Sequence, residues 1–169
     1  MSMIPFQGHY PKLLDDSVYI AEGARIIGDV TIDASSTVWF NAVLRGDLAP
    51  IVIGKRCNIQ DNAVGHVNAG QPLILADECS VGHTAIVHGC TVGRGTLIGM
   101  GAIVMSGAEI GEYALIGAGS VVTENKRIPP YTLAVGSPAR VVRELTEQDL
   151  LRMKQTTENY VTKGREYKG

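Results

Sequence analysis

An aliphatic residue returns at every sixth position through most of this chain. The repeat runs without a break from Ile20 to Leu44 and again from Val92 to Val122, with short insertions between the two runs. Four residues after each aliphatic comes a second set of mostly small residues: Ala24, Val30, Ser36, Ala42, Cys57, Ala63, Cys79, Ala85, Cys90, Thr96, Ala102, Ala108, Ala114 and Ser120. Because six is a multiple of the two-residue strand period, each aliphatic points to the same side of its strand. The pattern predicts an all-β, single-domain parallel β-helix of hexapeptide repeats, in which each hexapeptide forms one face of a coil.

The limits of the repeat predict how the chain is organised. We expect a lead-in over residues 1–17, the β-helix over 18–123, a connecting segment over 124–145 and a C-terminal α-helix over 146–169. Pro129 and Pro130 lack the N–H that a strand ladder requires, so we expect the ladder to stop before them. Thr146 is a favourable N-cap and acidic residues follow it, which favours a helix from that point.

Seven glycines follow aliphatic positions of the repeat, six of them directly and Gly28 two residues after Ile26. They are Gly28, Gly54, Gly82, Gly93, Gly99, Gly111 and Gly117. Glycine adopts backbone conformations that other residues reach only at a cost. We therefore expect these glycines to form a tight bend near the end of each strand.

Composition excludes several classes of partner. A formal net charge of -2 over 169 residues gives no electrostatic footprint for nucleic acid or an anionic membrane surface. The sequence has neither an apolar run of about 18 residues nor a signal-peptide pattern at its start. Cys57, Cys79 and Cys90 fall in the small inward positions, where cysteine acts as a small hydrophobe, and this suits a reducing compartment. We expect a cytoplasmic protein.

Three of the four histidines lie close together in the repeat. His66 and His88 each follow an inward position, and their separation of 22 residues equals one coil plus the insertion after His66. They should stack on one face in adjacent strands about 4.8 Å apart, where two imidazoles can share a metal ion. His9 is expected to be an exposed histidine without such a role.

His83 requires a different explanation because it lies on the preceding face of the coil. Five residues separate it from His88, which spans up to about 16 Å of extended chain. A three-fold oligomer would bring His83 of one subunit to His66 and His88 of the next. Three histidines leave a fourth position for water, as in catalytic zinc sites.

Several motifs carry a resemblance to a known family. Asn41-Ala42-Val43-Leu44-Arg45-Gly46-Asp47, Asn58-Ile59-Gln60-Asp61-Asn62 and Val87-His88-Gly89 occur in order with His66 and His83. In these motifs the chain resembles the γ-class carbonic anhydrases, from about Val18 to the last helix. The resemblance implies a left-handed β-helix, a homotrimer with metal sites between subunits, and His66, His83 and His88 as ligands of Zn²⁺. It also implies reversible hydration of carbon dioxide to bicarbonate by a metal-bound hydroxide, and Fe²⁺ or Co²⁺ could replace zinc.

The resemblance assigns roles to four further residues. Gln60 would hydrogen-bond the metal-bound hydroxide. Arg45 and Asp61 would pair across the subunit interface, and Asp47 would help to hold that network. An ordinary interface ion-pair cluster is the alternative interpretation of Arg45, Asp47 and Asp61.

The chain also departs from the best-known members of the family. The loop Val67–Pro72 has no carboxylate, and Leu48 stands where those enzymes have a second glutamate for proton transfer. We therefore expect turnover to be low or to depend on buffer as the proton acceptor. On the last helix, Asn159 and Tyr160 are loose matches to residues that reach the pocket in relatives.

Other functions remain open at this point. A hexapeptide-repeat acyltransferase shares the prism, the trimer and a segment like 128–140 beside bound acyl-CoA, and it uses one histidine as general base. A metal-dependent thioester hydrolase is a variant of this alternative. A third possibility is a non-catalytic, metal-bound scaffold trimer.

Overall fold

The computed structural model describes residues 2–169 and confirms the predicted fold. The chain forms a left-handed parallel β-helix of about seven turns, with one α-helix lying along its side within the described range. The strands stack into three faces of a prism. Neighbouring strands within each face are parallel, as a β-helix requires.

Each face is a ladder that takes one strand from each coil. The first face contains β1 (Ser2–Ile4), the start of β4 (Arg25–Ile32) and of β6 (Val43–Ile53), β8 (Val64–His66), β11 (Ile86–His88), β14 (Ile103–Val104) and β17 (Val121–Val122). The second face contains β2 (Lys12–Leu13), the ends of β4 and β6, β9 (Leu73–Leu75), β12 (Thr91–Val92), β15 (Glu109–Ile110) and β18 (Arg127–Ile128). The third face contains β3 (Tyr19–Ile20), β5 (Thr37–Val38), β7 (Asn58–Ile59), β10 (Ser80–Val81), β13 (Leu97–Ile98), β16 (Leu115–Ile116) and β19 (Thr132–Gly136), with β20 (Ala139–Glu144) antiparallel to β19.

The core lies inside the prism and follows the sequence repeat. The repeated aliphatics are buried, apart from Ile20, which is partly exposed near the open end of the prism. All fourteen side chains of the second inward set are at most 2% exposed. The three cysteines belong to this set and are free thiols, as predicted. Burial raises the pKa of Cys90 to about 12 and that of Cys79 well above its ordinary value.

The predicted end of the ladder is wrong. Strand β18 continues the second face beyond Thr123, where Ile128 pairs with Ile110, and β19 then continues the third face. Pro129 and Pro130 follow β18 at the corner of the prism. The ladder bond there uses the carbonyl of Ile128, which accepts from the N–H of Gly111 at 2.8 Å, so the prolines interrupt no donor. The lead-in also joins the prism, since β1 and β2 both pair with β4.

The predicted role of the repeated glycines is also wrong in six of seven cases. Among these seven, all in the described part of the chain, Gly28 alone has a positive φ. After each of the other six, the left-handed residue comes two positions later, as at Thr84 and Gly101. Those six glycines instead allow the next coil to approach. A Cβ on Gly99 would lie 2.6 Å from the backbone nitrogen of Ala118, a distance that real Cβ atoms do not tolerate.

Helix α1 (Glu147–Lys168) packs on the third face against its first three strands, β3, β5 and β7. Its predicted N-cap is confirmed, since the side chain of Thr146 accepts from the backbone N–H of Asp149. Met153, Thr157, Val161 and Gly164 form its buried side. Within residues 2–169, no helix combines the length and apolar character needed to cross a bilayer.

An aromatic cluster fixes α1 against the prism. The indole of Trp39 makes edge contacts with Tyr19, Tyr160 and Tyr167, at centroid separations of 5.4, 5.3 and 5.3 Å. Phe40 lies 6.0 Å from Tyr167. Such edge-to-face pairs stabilise beyond the area that they bury. The cluster therefore holds α1 in a fixed position and sets where Tyr160 lies.

Candidate metal centre

His66 and His88 face each other across two adjacent strands. They are direct partners in the register of β8 and β11 on the first face, which confirms the predicted stacking. Nδ1 of His66 lies 3.0 Å from Nε2 of His88. Two ring nitrogens on a zinc ion with bonds of 2.0–2.1 Å would be about 3.3 Å apart in a tetrahedral site. The pair is therefore close to the spacing that a shared metal needs.

The outer nitrogen of each ring is held by another polar group. Nε2 of His66 lies 2.9 Å from Oδ1 of Asp47, and Nδ1 of His88 lies 2.8 Å from Oγ of Ser106. Asp47 also forms an ion pair with Arg45. Metal-binding histidines ordinarily make such contacts through their second nitrogen, which fixes the ring and its tautomer. The hydrogen-bond partners of the pair are of the kind that metal-binding histidines ordinarily have.

Electrostatics around the pair follow from partial burial. Burial disfavours the charged form of His88, and the nearby His66 and Arg45 add to this, so the pKa of His88 is lowered. A neutral imidazole keeps a lone pair for a metal. Burial opposes ionisation of Asp47, but hydrogen bonds from His66 and Arg45 outweigh it and hold the pKa of this carboxyl below its usual value.

His83 lies at the corner that follows β10, away from the pair, as predicted. Its Nδ1 is 2.7 Å from Oδ2 of Asp61, and its side chain is 41% exposed. The backbone N–H of His83 donates to Oε1 of Gln60 at 3.1 Å, and Nε2 of Gln60 donates to Asn58 at 2.9 Å. The carboxylate of Asp61 therefore orients the His83 ring, and Gln60 lies beside His83 in the single chain.

The two loosely matched helix residues behave differently. The hydroxyl of Tyr160 lies 3.4 Å from Nε2 of His83. Burial, with the charge of Asp61 as a second cause, raises the pKa of Tyr160, so its hydroxyl keeps the proton at neutral pH. The side chain of Asn159 instead accepts from Gln155 along the exposed side of α1. Tyr160 thus reaches a predicted site residue, and the side chain of Asn159 is hydrogen-bonded within its own helix.

A single chain supplies two converging imidazoles, those of His66 and His88. Across the described range, no three histidine, cysteine or carboxylate side chains meet at one metal position. The donors present nevertheless suit zinc in type, because two imidazoles converge and their outer nitrogens are occupied. His83 is a third imidazole, oriented by a carboxylate at an exposed corner. The structure leaves Arg45 paired with Asp47 and Asp61 paired with His83.

Ser106 and Asn68 are site residues that the sequence interpretation missed. Ser106 is 7% exposed, and its Oγ contacts both His88 and Nδ2 of Asn68, the latter at 3.2 Å. The repeat gives no direct signal for Ser106, because Val87 pairs with Val104 and the residue one coil beyond His88 is therefore Met105. Ser106 lies in the turn after β14, and its hydroxyl reaches the His88 ring from there.

Comparison with known proteins identifies the family. The chain is 39% identical over 155 residues to gamma carbonic anhydrase 2, a mitochondrial protein of Arabidopsis thaliana, covering 88% of this chain and 56% of that protein. It is 51% identical over 164 residues to a carbonic anhydrase of Geobacillus kaustophilus, covering 97% of this chain and 90% of that protein. The chain belongs to the γ-class carbonic anhydrase family. The predicted resemblance is confirmed.

Two further matches describe the γ-class scaffold more broadly. Residues 89–124 match the family model for bacterial transferase hexapeptide (six repeats). A crystal structure of a Bacillus cereus protein, described provisionally as an acetyltransferase, superimposes with a TM-score of 0.97 at 47% identity and covers 99% of this chain and 96% of that one. The γ-class fold is thus shared with proteins that carry transferase names.

Proposed function

We propose that this protein is a γ-class carbonic anhydrase that hydrates carbon dioxide reversibly to bicarbonate. The observation that carries the proposal is the His66–His88 pair, whose ring nitrogens lie 3.0 Å apart while Asp47 and Ser106 hold the outer nitrogens. The name of the Geobacillus kaustophilus relative supports the same reaction. We assign Zn²⁺ as the cofactor, with Fe²⁺ or Co²⁺ as possible substitutes.

The third ligand in this proposal is His83 of a neighbouring subunit in a homotrimer. The pair lies on the first face, and His83 lies at the corner between the third and first faces. When prisms meet around a three-fold axis, the corner of one approaches the face of the next. Arg45 is 44% exposed and Asp61 is 32% exposed, so both side chains are accessible to pair across that interface.

In this proposal, each residue around the site has a separate role. When bound, zinc lowers the pKa of a coordinated water to about 7 and so supplies hydroxide at neutral pH. Asp47 and Ser106 fix the orientation of the two ligand rings, and Asp61 fixes that of His83. Gln60 has a second N–H beyond the one it donates to Asn58, and we assign it to orienting the hydroxide. The protonated hydroxyl of Tyr160 is placed to donate a hydrogen bond beside His83.

The chain lacks the carboxylates that would accept the proton released in the reaction. Each turnover releases one proton, and the loop Val67–Pro72 offers no carboxylate to accept it. Leu48 is 56% exposed at the position of the family's second glutamate. A leucine side chain cannot accept a proton, so buffer molecules must take it. We therefore propose that turnover is limited by buffer.

The decisive experiment is stopped-flow carbon dioxide hydration by anaerobically purified protein, with metal content measured on the same sample. We expect about one metal ion per chain and hydration that is lost on chelation and restored by zinc. Stoichiometric metal without hydration in any buffer would contradict the proposed reaction and leave a metal-bound scaffold trimer.

Subunit complementation tests where the third ligand comes from. His66→Ala and His83→Ala should each remove most of the bound metal, with His9→Ala as the control. Trimers reassembled from both variants together should regain metal, because an intact pair on one subunit can then meet an intact His83 on the next. Full metal content in the His83→Ala trimer would contradict a site between subunits.

Acyl transfer is the second candidate function. The transferase name of the matching family model and the description of the Bacillus cereus structure favour it. It would need one histidine as general base and acyl-CoA as substrate, whereas the structure joins two histidines by their ring nitrogens. Acyl-CoA turnover that survives chelation would support transfer. Thioester cleavage that requires metal would support a hydrolase.

A further inference from the structure

One corner of the prism carries large side chains where the other two corners carry small ones. At those two corners, the left-handed backbone positions between strands are glycine, asparagine or, once, threonine. A bulky residue with a positive φ is uncommon because its backbone is strained. At the corner between the second and third faces, four of the left-handed positions are nevertheless large: Arg56, Glu78, Tyr113 and Tyr131.

The two tyrosines of this corner stack on each other. The ring centroids of Tyr113 and Tyr131 are 5.3 Å apart, and the rings are inclined by 19°. Tyr113 also lies against Gly95, where an added Cβ would be 2.4 Å from Cε1 of the ring. Tyr113 is therefore fixed by both neighbours, while Tyr131 remains 42% exposed.

A cavity of about 640 Å³ lies between this corner and the first half of α1. The second half of α1 packs closely on the prism, because Gly164 has no side chain and a Cβ there would lie 2.4 Å from Cγ2 of Thr37. Leu150 and Leu151, on the first half, face the stacked tyrosines across the cavity. The volume is within the range of sites that bind small organic molecules.

Most charged side chains at one end of the cavity are already paired. Nη2 of Arg56 lies 2.5 Å from Oε1 of Glu158, and Nε of Arg94 lies 3.1 Å from Oε2 of Glu78. Arg94 uses Nε for this pair, so the N–H groups on its two Nη atoms remain for a ligand. Lys154 also lines the cavity, and no carboxylate among the described residues lies within ion-pair distance of it. This end therefore has one positive charge in excess.

Lys154 lies at the same level of the prism as Arg94. Helix α1 runs back along the prism, from the last coils toward the first. One helix turn and one coil each advance by about 5 Å. Lys154 precedes Glu158, the partner of Arg56, by one turn, so it lies about one coil beyond Arg56, where Arg94 forms its ion pair.

We propose that this cavity binds a small aromatic carboxylate. The carboxylate would lie between Lys154 and Arg94, and the ring would lie against Tyr131 and Leu150, since aromatic rings favour offset or edge-to-face contacts with each other. Glu147 lines the other end of the cavity, about 10 Å along the helix from Lys154. Its negative charge directs the anionic group of the ligand toward Lys154.

The cavity is separate from the metal pair. It lies at the corner opposite the first face, whereas the proposed trimer uses the first face and the corner that carries His83. The cavity therefore stays open in that trimer. The inference goes beyond the proposed function and does not depend on the metal or on the reaction.

Binding of 2-naphthoate to the intact wild-type protein tests the proposal. Calorimetric titration should show saturable binding of one molecule per chain, weakened by salt because one contact is ionic. The neutral analogue 2-naphthalenemethanol should bind about tenfold more weakly or less. Absence of saturable binding, or equal affinity for the two compounds, would overturn the proposal. Tighter binding of decanoate than of 2-naphthoate would overturn the preference for an aromatic ring.

Variants of one lysine test the position of the carboxylate. Lys154→Met should weaken 2-naphthoate binding about tenfold, and Lys154→Arg should retain most of the affinity. Lys163→Met is the matched control, because Lys163 is a lysine of the same helix beside the Tyr160 ring and does not line the cavity. Wild-type affinity in Lys154→Met would overturn the proposal.

Backbone NMR during the titration shows where the probe binds. We expect the largest chemical-shift changes at Gly95 and Leu151, on the two walls of the cavity. Changes centred on His66 and His88 would place the probe at the metal pair and overturn the proposal. Probe binding at the cavity by a protein that does not hydrate carbon dioxide would contradict the proposed function alone.

Discussion

The hydroxyl of Tyr160 lies 3.4 Å from Nε2 of His83, although 77 residues separate them in the chain. The contact exists because α1 folds back along the third face and Trp39 packs against the Tyr160 ring at 5.3 Å. Through this contact the last helix of the protein reaches the corner that carries the proposed third metal ligand. The helix therefore contributes a side chain to the proposed site as well as covering the prism.

Replacing Tyr160 by Phe should reduce activity modestly. The ring would keep its packing on Trp39, and only the hydroxyl beside His83 would be lost. A neutral hydrogen bond contributes about 1 kcal/mol, so kcat/KM for carbon dioxide hydration should fall roughly two- to fivefold at unchanged metal content. Tyr167→Phe is the control on the same helix. Equal activity of the two variants would argue against a role for the Tyr160 hydroxyl.

Carbon dioxide hydration should rise with buffer concentration. The loop Val67–Pro72 and the position of Leu48 offer no carboxylate, so the proton released in each turnover must pass to a buffer base. Stopped-flow rates at constant ionic strength and pH should climb with imidazole concentration before reaching a plateau. Leu48→Glu should raise the rate at low buffer, with Leu48→Gln as the uncharged control. A rate independent of buffer in the wild type would mean that another residue carries the proton.

The three cysteines should be unreactive in the folded protein. Burial raises the pKa of Cys90 to about 12 and also raises that of Cys79, and the thiolate is the reactive form. Native protein treated with iodoacetamide at about pH 8 should therefore carry no label by mass spectrometry, and protein in denaturant should carry three. Labelling of Cys57, Cys79 or Cys90 under native conditions would show that the prism opens.

Acid should weaken the start of α1 through Asp149. A hydrogen bond from Arg143, followed by those from Thr146, holds the pKa of Asp149 well below its ordinary value. This stabilisation is present above the pKa of the unfolded chain, about 3.9 for aspartate, and is lost as pH falls below it. Thermal midpoints of wild type and Asp149→Asn should differ at neutral pH and converge in acid. A difference that stays constant with pH would contradict an ionised Asp149.

Thr146, the uncharged residue of the α1 N-cap, allows the contribution of the cap to stability to be measured separately from the charge of Asp149. Thr146→Ala removes the acceptor for the backbone N–H of Asp149 and should cost about 1 kcal/mol of unfolding free energy. Thr156→Ala, a threonine change within the helix whose hydroxyl donates to Arg152, is the control. An equal loss of unfolding free energy in the two variants would show that the N-cap hydrogen bond does not contribute more than an ordinary threonine of the helix.

The sequence by itself determined the fold and the stacking of His66 on His88. The sequence repeats every six residues and side chains on a strand alternate every two, so every repeated aliphatic points inward. Residues one coil apart are then neighbours on the same face. The stacking of His66 on His88 follows from that rule alone. The same rule places Met105 one coil beyond His88, so the contact between Ser106 and the His88 ring was decided by the turn after β14.

Contacts that depend on how whole coils and elements pack were decided only by the tertiary structure. Gly99 was predicted to form a bend, but its lack of a side chain instead lets the backbone of the next coil, at Ala118, approach closely. Pro129 looked like the end of every ladder, but it follows β18, the last strand of the second face, and the third face continues in β19. The contact between Tyr160 and His83 depends on how α1 docks. No local pattern encodes these outcomes, because each depends on distances between segments far apart in the chain.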